Sequence, residues 1–90
     1  MYIIRYQIGV VTNDIPKLGT SEKRLIQKAI DNKLIEHPEV YGVSLRRALK
    51  AYRKLRVGDY RVIFRMTQKE VLIFVIAHRS VAYKIAEKRL

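Results

Sequence analysis

The sequence predicts an α+β fold: a mostly antiparallel sheet of about four to five strands, with N-terminal helices packed on one face and a short C-terminal helix. Three observations lead to this prediction. Apolar residues in the first half of the chain recur at helical spacing, and strand-like runs separated by short turns follow in the second half. The last run, Val71 to Ala77, is apolar on both faces, as a central strand is. At 90 residues, the chain is expected to form one domain, residues 1–90.

The first half of the chain predicts one strand and one long helix. Tyr2 to Ile8 is rich in β-branched and aromatic residues and predicts the first strand. Pro16 limits the next segment to one or two helical turns. Thr20 or Ser21 is expected to cap the long helix, which ends before Pro38. Its predicted buried stripe contains six apolar residues: Leu25, Ile26, Ala29, Ile30, Leu34 and Ile35.

The second half predicts a loop, a strand meander and a final helix. Glu39 to Ser44 is expected to be a loop. The clearest strands are Leu55–Val57, Tyr60–Met66 and Val71–Ala77. A final helix is expected from Ser80 to Leu90, and all the helices are expected to pack on one side of the sheet. The residues available for the inner side of that helix are Val81, Ile85 and Leu90.

The charge balance predicts a polyanionic partner. Nineteen Lys and Arg residues face eight Asp and Glu residues, which gives a formal charge of +11. The chain has no cysteine and two histidines, so neither a disulfide framework nor a zinc site is expected. No apolar run approaches the ~20 residues of a membrane helix, and no signal-peptide pattern is present. We therefore expect a cytoplasmic protein with no membrane partner, no metal and no small-molecule cofactor.

A predicted hairpin sorts the charges onto one face of the sheet. Gly58-Asp59 suits a two-residue type II′ turn, which would pair Arg56 with Arg61 and Lys54 with Ile63. Because side chains alternate between faces, one face would be mainly apolar and would meet the helices. That face carries Arg53, Leu55, Val57, Tyr60, Val62 and Phe64. The other face, here called the cation face, carries Tyr52, Lys54, Arg56, Arg61, Ile63 and Arg65.

The cation face has two interpretations. Like charges placed opposite each other, such as Arg56 and Arg61, destabilise a sheet, and a bound phosphate would relieve their repulsion. On this interpretation, removal of Arg61 would leave the fold unharmed or slightly more stable. The alternative is a solvated sheet face whose cations prevent edge-to-edge aggregation.

Several segments together resemble the RelE/ParE superfamily of bacterial toxins, and the resemblance covers nearly the whole chain. The segments are KLRVGDYRVIF, LRRALKAYR before it, FVIAHRSVAYKIAEKRL after it, and DIPKL and HPEVYGVSLRR on either side of the long helix. The resemblance implies a toxin that a cognate antitoxin protein neutralises. RelE-like members enter the ribosomal A site and cut mRNA without a metal ion. The ribose 2′-hydroxyl attacks the adjacent phosphate and leaves a 2′,3′-cyclic phosphate and a 5′-hydroxyl.

The resemblance also implies site residues. Carried over by motif, the residues with catalytic roles are Lys54, Arg61, Arg79 and Tyr83. Lys54 would be the general base, because neighbouring arginines favour its neutral form. Arg61 would hold the scissile phosphate, Arg79 would lie near the leaving oxygen, and Tyr83 would stack on a base. The further RNA- and phosphate-binding residues are Arg56, Arg53, Arg65 and Tyr52, the last standing where some RelE toxins carry a lysine.

Other roles remain open for the chain and for single residues. A ParE-like protein would inhibit DNA gyrase without cutting RNA, and a non-toxic basic domain would only bind RNA. Tyr60 is expected in the core, and His78 is expected to be a hydrogen-bonded structural residue. The C-terminal cations Lys84, Lys88 and Arg89 are expected to form a solvated helix face that attracts ribosomal RNA.

Overall fold

A computed structural model describes all 90 residues and contains one five-stranded sheet. The strands lie in the order β1-β5-β4-β3-β2. β1 is parallel to β5, and every other neighbouring pair is antiparallel, which confirms the predicted sheet. The bounds are Ile3–Tyr6 for β1, Val43–Ser44 for β2, Arg53–Val57 for β3, Tyr60–Met66 for β4 and Glu70–His78 for β5.

Three α-helices accompany the sheet: α1 over Thr20–Ala29, α2 over Pro38–Tyr41 and α3 over Ala82–Arg89. Two π-helical segments, Val10–Asp14 and Ile30–Leu34, and two 3₁₀ segments, Ile15–Lys17 and Arg47–Leu49, complete the helical structure. None of the helices has the length and apolar composition needed to cross a membrane.

Two local predictions about helix ends were wrong. The N-cap of α1 is Gly19, and neither Thr20 nor Ser21 caps it, because both already lie inside the helix. The segment expected to be a loop after the long helix contains α2. Pro38 occupies the first position of α2, where a proline costs no backbone hydrogen bond and its fixed φ suits the helix.

The larger core lies between the N-terminal helical segments and one face of the sheet. From the helical side it contains Ile26, Ile30 and Leu34, as the apolar stripe predicts. The sheet contributes Leu55, Val62, Phe64, Val71, Ile73 and Ile76. Leu25, also predicted in the stripe, is 61% exposed, because the buried side of α1 is narrower than the run of apolar residues.

A second core lies on the opposite face, under α3. The prediction that all helices pack on one side is therefore wrong. Ile63, Phe74, Val75 and Ala77 from the sheet meet Ala82 and Ala86 of α3. Small residues form the inner side of the helix, and the predicted inner residues Val81 and Leu90 are exposed. A helix with alanines on its inner side can pack close to the sheet.

A β-bulge in β5 shapes this second core. Pairing between β4 and β5 shifts at Ile63 and Phe64, whose partners are Val75 and Ile73, so Phe74 is left over. The extra residue places Phe74 and Val75 in the same core, although they are adjacent in sequence. α3 therefore meets two large side chains where regular alternation would offer one.

Candidate active site

The hairpin has the predicted register. Val57 pairs with Tyr60 and Arg56 pairs with Arg61 across the Gly58-Asp59 turn. Gly58 has φ = +60°, and Asp59 is not among the residues with positive φ. A single positive φ at the first turn position is the type II′ signature, so the turn fixes which side chains share a face.

Arg61 is buried and is held by the turn. Only 9% of it is exposed, and its Nη1 donates to the carbonyl oxygens of Gly58 at 3.1 Å and Tyr60 at 2.9 Å. The two carbonyl dipoles offset the charge that faces Arg56 across the strand pair. We therefore revise the expectation for its removal: loss of Arg61 leaves two carbonyls without a charged donor and destabilises the hairpin.

Lys54 and Tyr83 meet although 29 residues separate them. The Lys54 Nζ donates to the Tyr83 Oη at 3.0 Å and lies 5.5 Å from the centroid of its ring. Tyr83 is in the first turn of α3 and is partly buried against the second core. The docking of α3 on the sheet thus brings the predicted tyrosine to the predicted lysine.

Arg79 lies at the turn end of the hairpin. Its backbone N–H donates to the carbonyl of Asp59 at 2.8 Å, and its side chain is exposed with no hydrogen-bond partner. It therefore stands beside the same turn whose carbonyls hold Arg61, and its guanidinium is available to a ligand.

His78 makes local contacts. Its Nδ1 accepts the backbone N–H of Ser80 at 3.1 Å and lies 2.9 Å from the Ser80 Oγ. The ring meets Tyr60 edge-on at 5.8 Å between centroids. Acceptance at Nδ1 places the proton of the neutral imidazole on Nε2.

Three residues predicted to bind RNA make contacts away from Lys54, Arg61 and Tyr83. Arg53 donates to the carbonyl of Gly42 at 2.8 Å and so anchors the α2–β2 connection. Tyr52 packs on Phe74, with ring centroids 4.7 Å apart. Arg65 is exposed, but the fully buried Ile63 separates it from Arg61 on the same face of β4. The structure thus brings Lys54 to Tyr83 and Arg56 to Arg61, and it places Arg79 beside the turn that joins the two strands.

An ion pair that the sequence analysis missed holds α3 in place. The Arg89 guanidinium donates to both carboxylate oxygens of the buried Asp14, at 2.7 and 2.8 Å. Arg89 also donates to the Phe74 carbonyl, and Asp14 accepts the N–H of Ile76 at 2.9 Å. The prediction that Arg89 belongs to a solvated helix face is therefore wrong. No pattern in the sequence marks this pair, because Asp14 lies in the mixed polar and apolar segment VVTNDIPKL.

Comparison with known proteins adds family relationships. Residues 13–83 match the family model described as the ParE toxin of the type II toxin–antitoxin system parDE. The mRNA interferase toxin RelE of Escherichia coli K12 is 30% identical over 79 residues, 82% of each chain.

Solved structures resemble the fold. One chain of the RelBE2 toxin–antitoxin complex of Mycobacterium tuberculosis is 26% identical, with a TM-score of 0.80 and coverage of 88% of this chain and 92% of that chain. E. coli YafQ, at 18% identity and a TM-score of 0.57, covers 90% of this chain and 97% of its own, and it shares the fold.

Proposed function

Since this chain belongs to the RelE/ParE family of type II toxin–antitoxin toxins, we propose that it is a toxin that cuts mRNA and that a cognate antitoxin protein neutralises it. The similar E. coli protein is named an mRNA interferase, and the similar M. tuberculosis chain was solved in a toxin–antitoxin complex. The first name supports mRNA cleavage, and the second supports neutralisation by an antitoxin.

The Lys54–Tyr83 hydrogen bond is the observation that carries the nuclease proposal. It joins an amine and a phenol at 3.0 Å beside the Arg56–Arg61 strand pair. A proton-accepting group next to guanidinium groups that can bind phosphate is what internal phosphoryl transfer in RNA needs. Folding accounts for Arg61, which the turn carbonyls hold, but it offers no reason to place the exposed Arg56 opposite it.

The proposed reaction is attack by the ribose 2′-hydroxyl on the adjacent phosphate. The 2′-oxygen forms a bond to phosphorus while the bond from phosphorus to the 5′-oxygen breaks. Lys54, in its neutral form, accepts the 2′-proton, and the leaving 5′-oxygen takes a proton from solvent water. The products are a 2′,3′-cyclic phosphate and a 5′-hydroxyl.

The arginines would stabilise charge on the reacting phosphate. Arg56 is exposed and faces Arg61 across β3 and β4, so a phosphate between them would gain fork-shaped donors. Arg79, exposed at the turn, would offset charge on the leaving oxygen. No residue in this scheme needs a metal ion.

We propose that the ribosome is where the reaction takes place. The +11 charge would hold the domain on ribosomal RNA, where the mRNA codon is presented in single-stranded form. Binding to ribosomes should therefore weaken steeply between low and physiological salt, because each phosphate contact releases a counterion. A flat response to salt would count against the cation face as the docking surface.

The antitoxin is expected to complement this charge. A segment that is acidic, disordered when free and folded on binding fits a cationic toxin. Co-expression of the reading frame beside this gene should restore the growth of cells that the toxin arrests. Arrest that no neighbouring frame relieves would contradict the paired system.

The decisive experiment adds purified protein to a translation extract and maps mRNA 5′ ends. The expected result is cleavage within translated codons, with 5′-hydroxyl ends, that Lys54→Ala abolishes. Lys84→Ala is the matched control, because Lys84 is an exposed lysine of α3 next to Tyr83 and makes no side-chain hydrogen bond or ion pair. Intact mRNA with the wild-type protein would overturn the nuclease proposal.

The family match also favours a second function, since the matching model is described as a ParE toxin. A ParE-like protein would inhibit DNA gyrase and leave mRNA intact. A supercoiling assay with gyrase separates the two functions. Inhibition of supercoiling together with intact mRNA would replace the nuclease proposal with this one.

A further inference from the structure

A cleft beside the outer edge of β3 adjoins the residues of the proposed reaction and has further lining residues, Lys33, Tyr41 and Val43, to which that reaction gives no role. Its volume is about 360 Å³. β2 pairs with only two residues of β3, Arg53 and Lys54. The cleft lies beyond them, where the outer side of β3 has no neighbouring strand. Seven residues line the cleft, four of them cationic and none acidic: Lys33, Tyr41, Val43, Lys54, Leu55, Arg56 and Arg61. The cleft is therefore continuous with the candidate active site.

The outer wall of the cleft presents an exposed aromatic ring. Tyr41 is 44% exposed and Val43 is 59% exposed. The Lys33 Nζ lies 5.5 Å from the centroid of the Tyr41 ring. An exposed ring with a cation over it, beside an apolar side chain, can stack on a nucleobase and attract the attached phosphate.

The backbone that carries this wall is held firmly. Gly42, between Tyr41 and Val43, is buried, and a Cβ there would collide with the Phe64 ring in the core. Its N–H donates to the Pro38 carbonyl at 2.9 Å, and its own carbonyl accepts the Arg53 guanidinium at 2.8 Å. The hydrogen bond that Arg53 makes to Gly42 thus holds the backbone between Tyr41 and Val43 at the rim of the cleft.

We propose that this cleft binds one nucleotide of single-stranded RNA next to the scissile phosphate, with its base on Tyr41 and its phosphate near Lys33 and Arg56. This inference rests on the proposed nuclease function. The RNA strand crosses the edge of β3 at Lys54, which both lines the cleft and contacts Tyr83. The lining favours RNA over an acidic protein segment, because the cations are continuous with the phosphate-binding residues and surround a stacking platform.

The first test measures where RNA binds the wild-type protein. A short single-stranded RNA with 2′-O-methyl riboses cannot be cut, so its binding does not depend on the reaction. We expect RNA binding to change the NMR chemical shifts of Tyr41, Val43 and Lys33, together with those of Lys54 and Arg56. Shifts that leave out the Tyr41–Val43 segment, or no shifts at low salt, would overturn the assignment of the cleft.

The second test uses matched variants in the same binding assay and in mRNA cleavage. Tyr41→Ala should weaken RNA binding about tenfold and change which bases are preferred beside the cut, since stacking on an aromatic side chain contributes about this much per base. Tyr41→Phe should keep both properties, because it keeps the ring. Val40→Ala is the control: Val40 is 68% exposed on the same helix and does not line the cleft.

One outcome would assign the cleft to a protein partner, and another would separate the RNA site from the nuclease proposal. If Tyr41→Ala weakens antitoxin binding but neither RNA binding nor base preference, the surface belongs to a protein partner and the RNA assignment is wrong. If the wild-type protein cuts no mRNA but uncleavable RNA still binds through Tyr41, the nuclease proposal fails and the cleft stands as an RNA site.

Discussion

Arg89 and Asp14 join the last turn of α3 to the first π-helical segment across 75 residues of sequence, through two hydrogen bonds of 2.7 and 2.8 Å. They also occupy the edge of β5 beyond the end of β1, where Asp14 accepts the N–H of Ile76 and Arg89 donates to the carbonyl of Phe74. The hydrogen bond to Asp14 raises the pKa of Arg89, so the guanidinium stays charged. The pair therefore fixes the helix that carries Tyr83.

We expect Arg89→Met to lower the free energy of unfolding by about 3 kcal/mol, because it leaves the buried Asp14 carboxylate without its cation. It should also release the end of α3 and weaken mRNA cleavage. Urea denaturation and the NMR signals of α3 measure the two effects. Lys88→Met, at an exposed neighbouring position, is the control and should change neither. Unchanged stability of Arg89→Met would contradict the role of the pair.

We expect Arg61→Ala to reduce mRNA cleavage by ~10²–10³, the typical cost of losing a group that stabilises charge in the transition state. It should also cost about 1–2 kcal/mol of stability, because the hydrogen bonds to the Gly58 and Tyr60 carbonyls are lost. Thermal melting beside the cleavage assay measures both. A folded Arg61→Ala protein that cuts mRNA at the wild-type rate would refute the assignment of Arg61.

Val62 lies next to Arg61 but faces the larger core, and none of it is exposed. Val62→Asp should unfold the domain, because a buried carboxylate without a partner costs more than a small domain's stability allows. Circular dichroism measures the loss of structure. Arg56→Ala, on the opposite face and exposed, is the contrasting variant and should remain folded. A folded Val62→Asp protein would contradict the register of the hairpin.

Tyr83→Phe keeps the ring and removes the oxygen that accepts the Lys54 hydrogen bond at 3.0 Å. We expect a loss of stability below about 1 kcal/mol and a fall in the cleavage rate of about 10², since the general base loses the contact that orients it. Single-turnover cleavage across a pH series measures the effect. A wild-type rate and pH profile in Tyr83→Phe would show that the hydrogen bond has no part in the reaction.

Burial raises the pKa of the Tyr6 hydroxyl, whose ring lies on the larger core beside Gln27. A raised pKa means that the folded state favours the protonated phenol. This contribution to stability is complete below the unfolded pKa of about 10 and is lost as pH rises through the folded value. The stability advantage of wild type over Tyr6→Phe should therefore shrink above about pH 10. Parallel alkaline melting of the two proteins measures it, and a constant difference would contradict the prediction.

The strand part of the fold could be predicted closely because its determinants are local. The Gly58-Asp59 turn and the alternation of side chains specify the pairing of Arg56 with Arg61 and the face of each strand residue. The alternation of side chains along each strand is enough to place Val62 and Phe64 in the larger core. It also places Lys54 and Arg61 on the other face.

Helix ends and helix placement were predicted less well. α2 and the Gly19 cap depend on local geometry that residue preferences do not settle. The side of the sheet that α3 covers depends on packing. The bulge at Phe74 and the small side chains Ala82 and Ala86 suit the face opposite α1, and no periodicity in the sequence indicates which face will receive the helix.

The sequence by itself determined the charge of the domain, the strand meander, the parity of the hairpin and the residue types at the candidate active site. The tertiary structure decided which of those residues meet. Lys54 contacts Tyr83, Arg53 turns away to Gly42, and Asp14 holds Arg89. The physical reason is range: turn geometry and alternation act over a few residues, whereas these contacts join distant segments that become neighbours only when the chain packs.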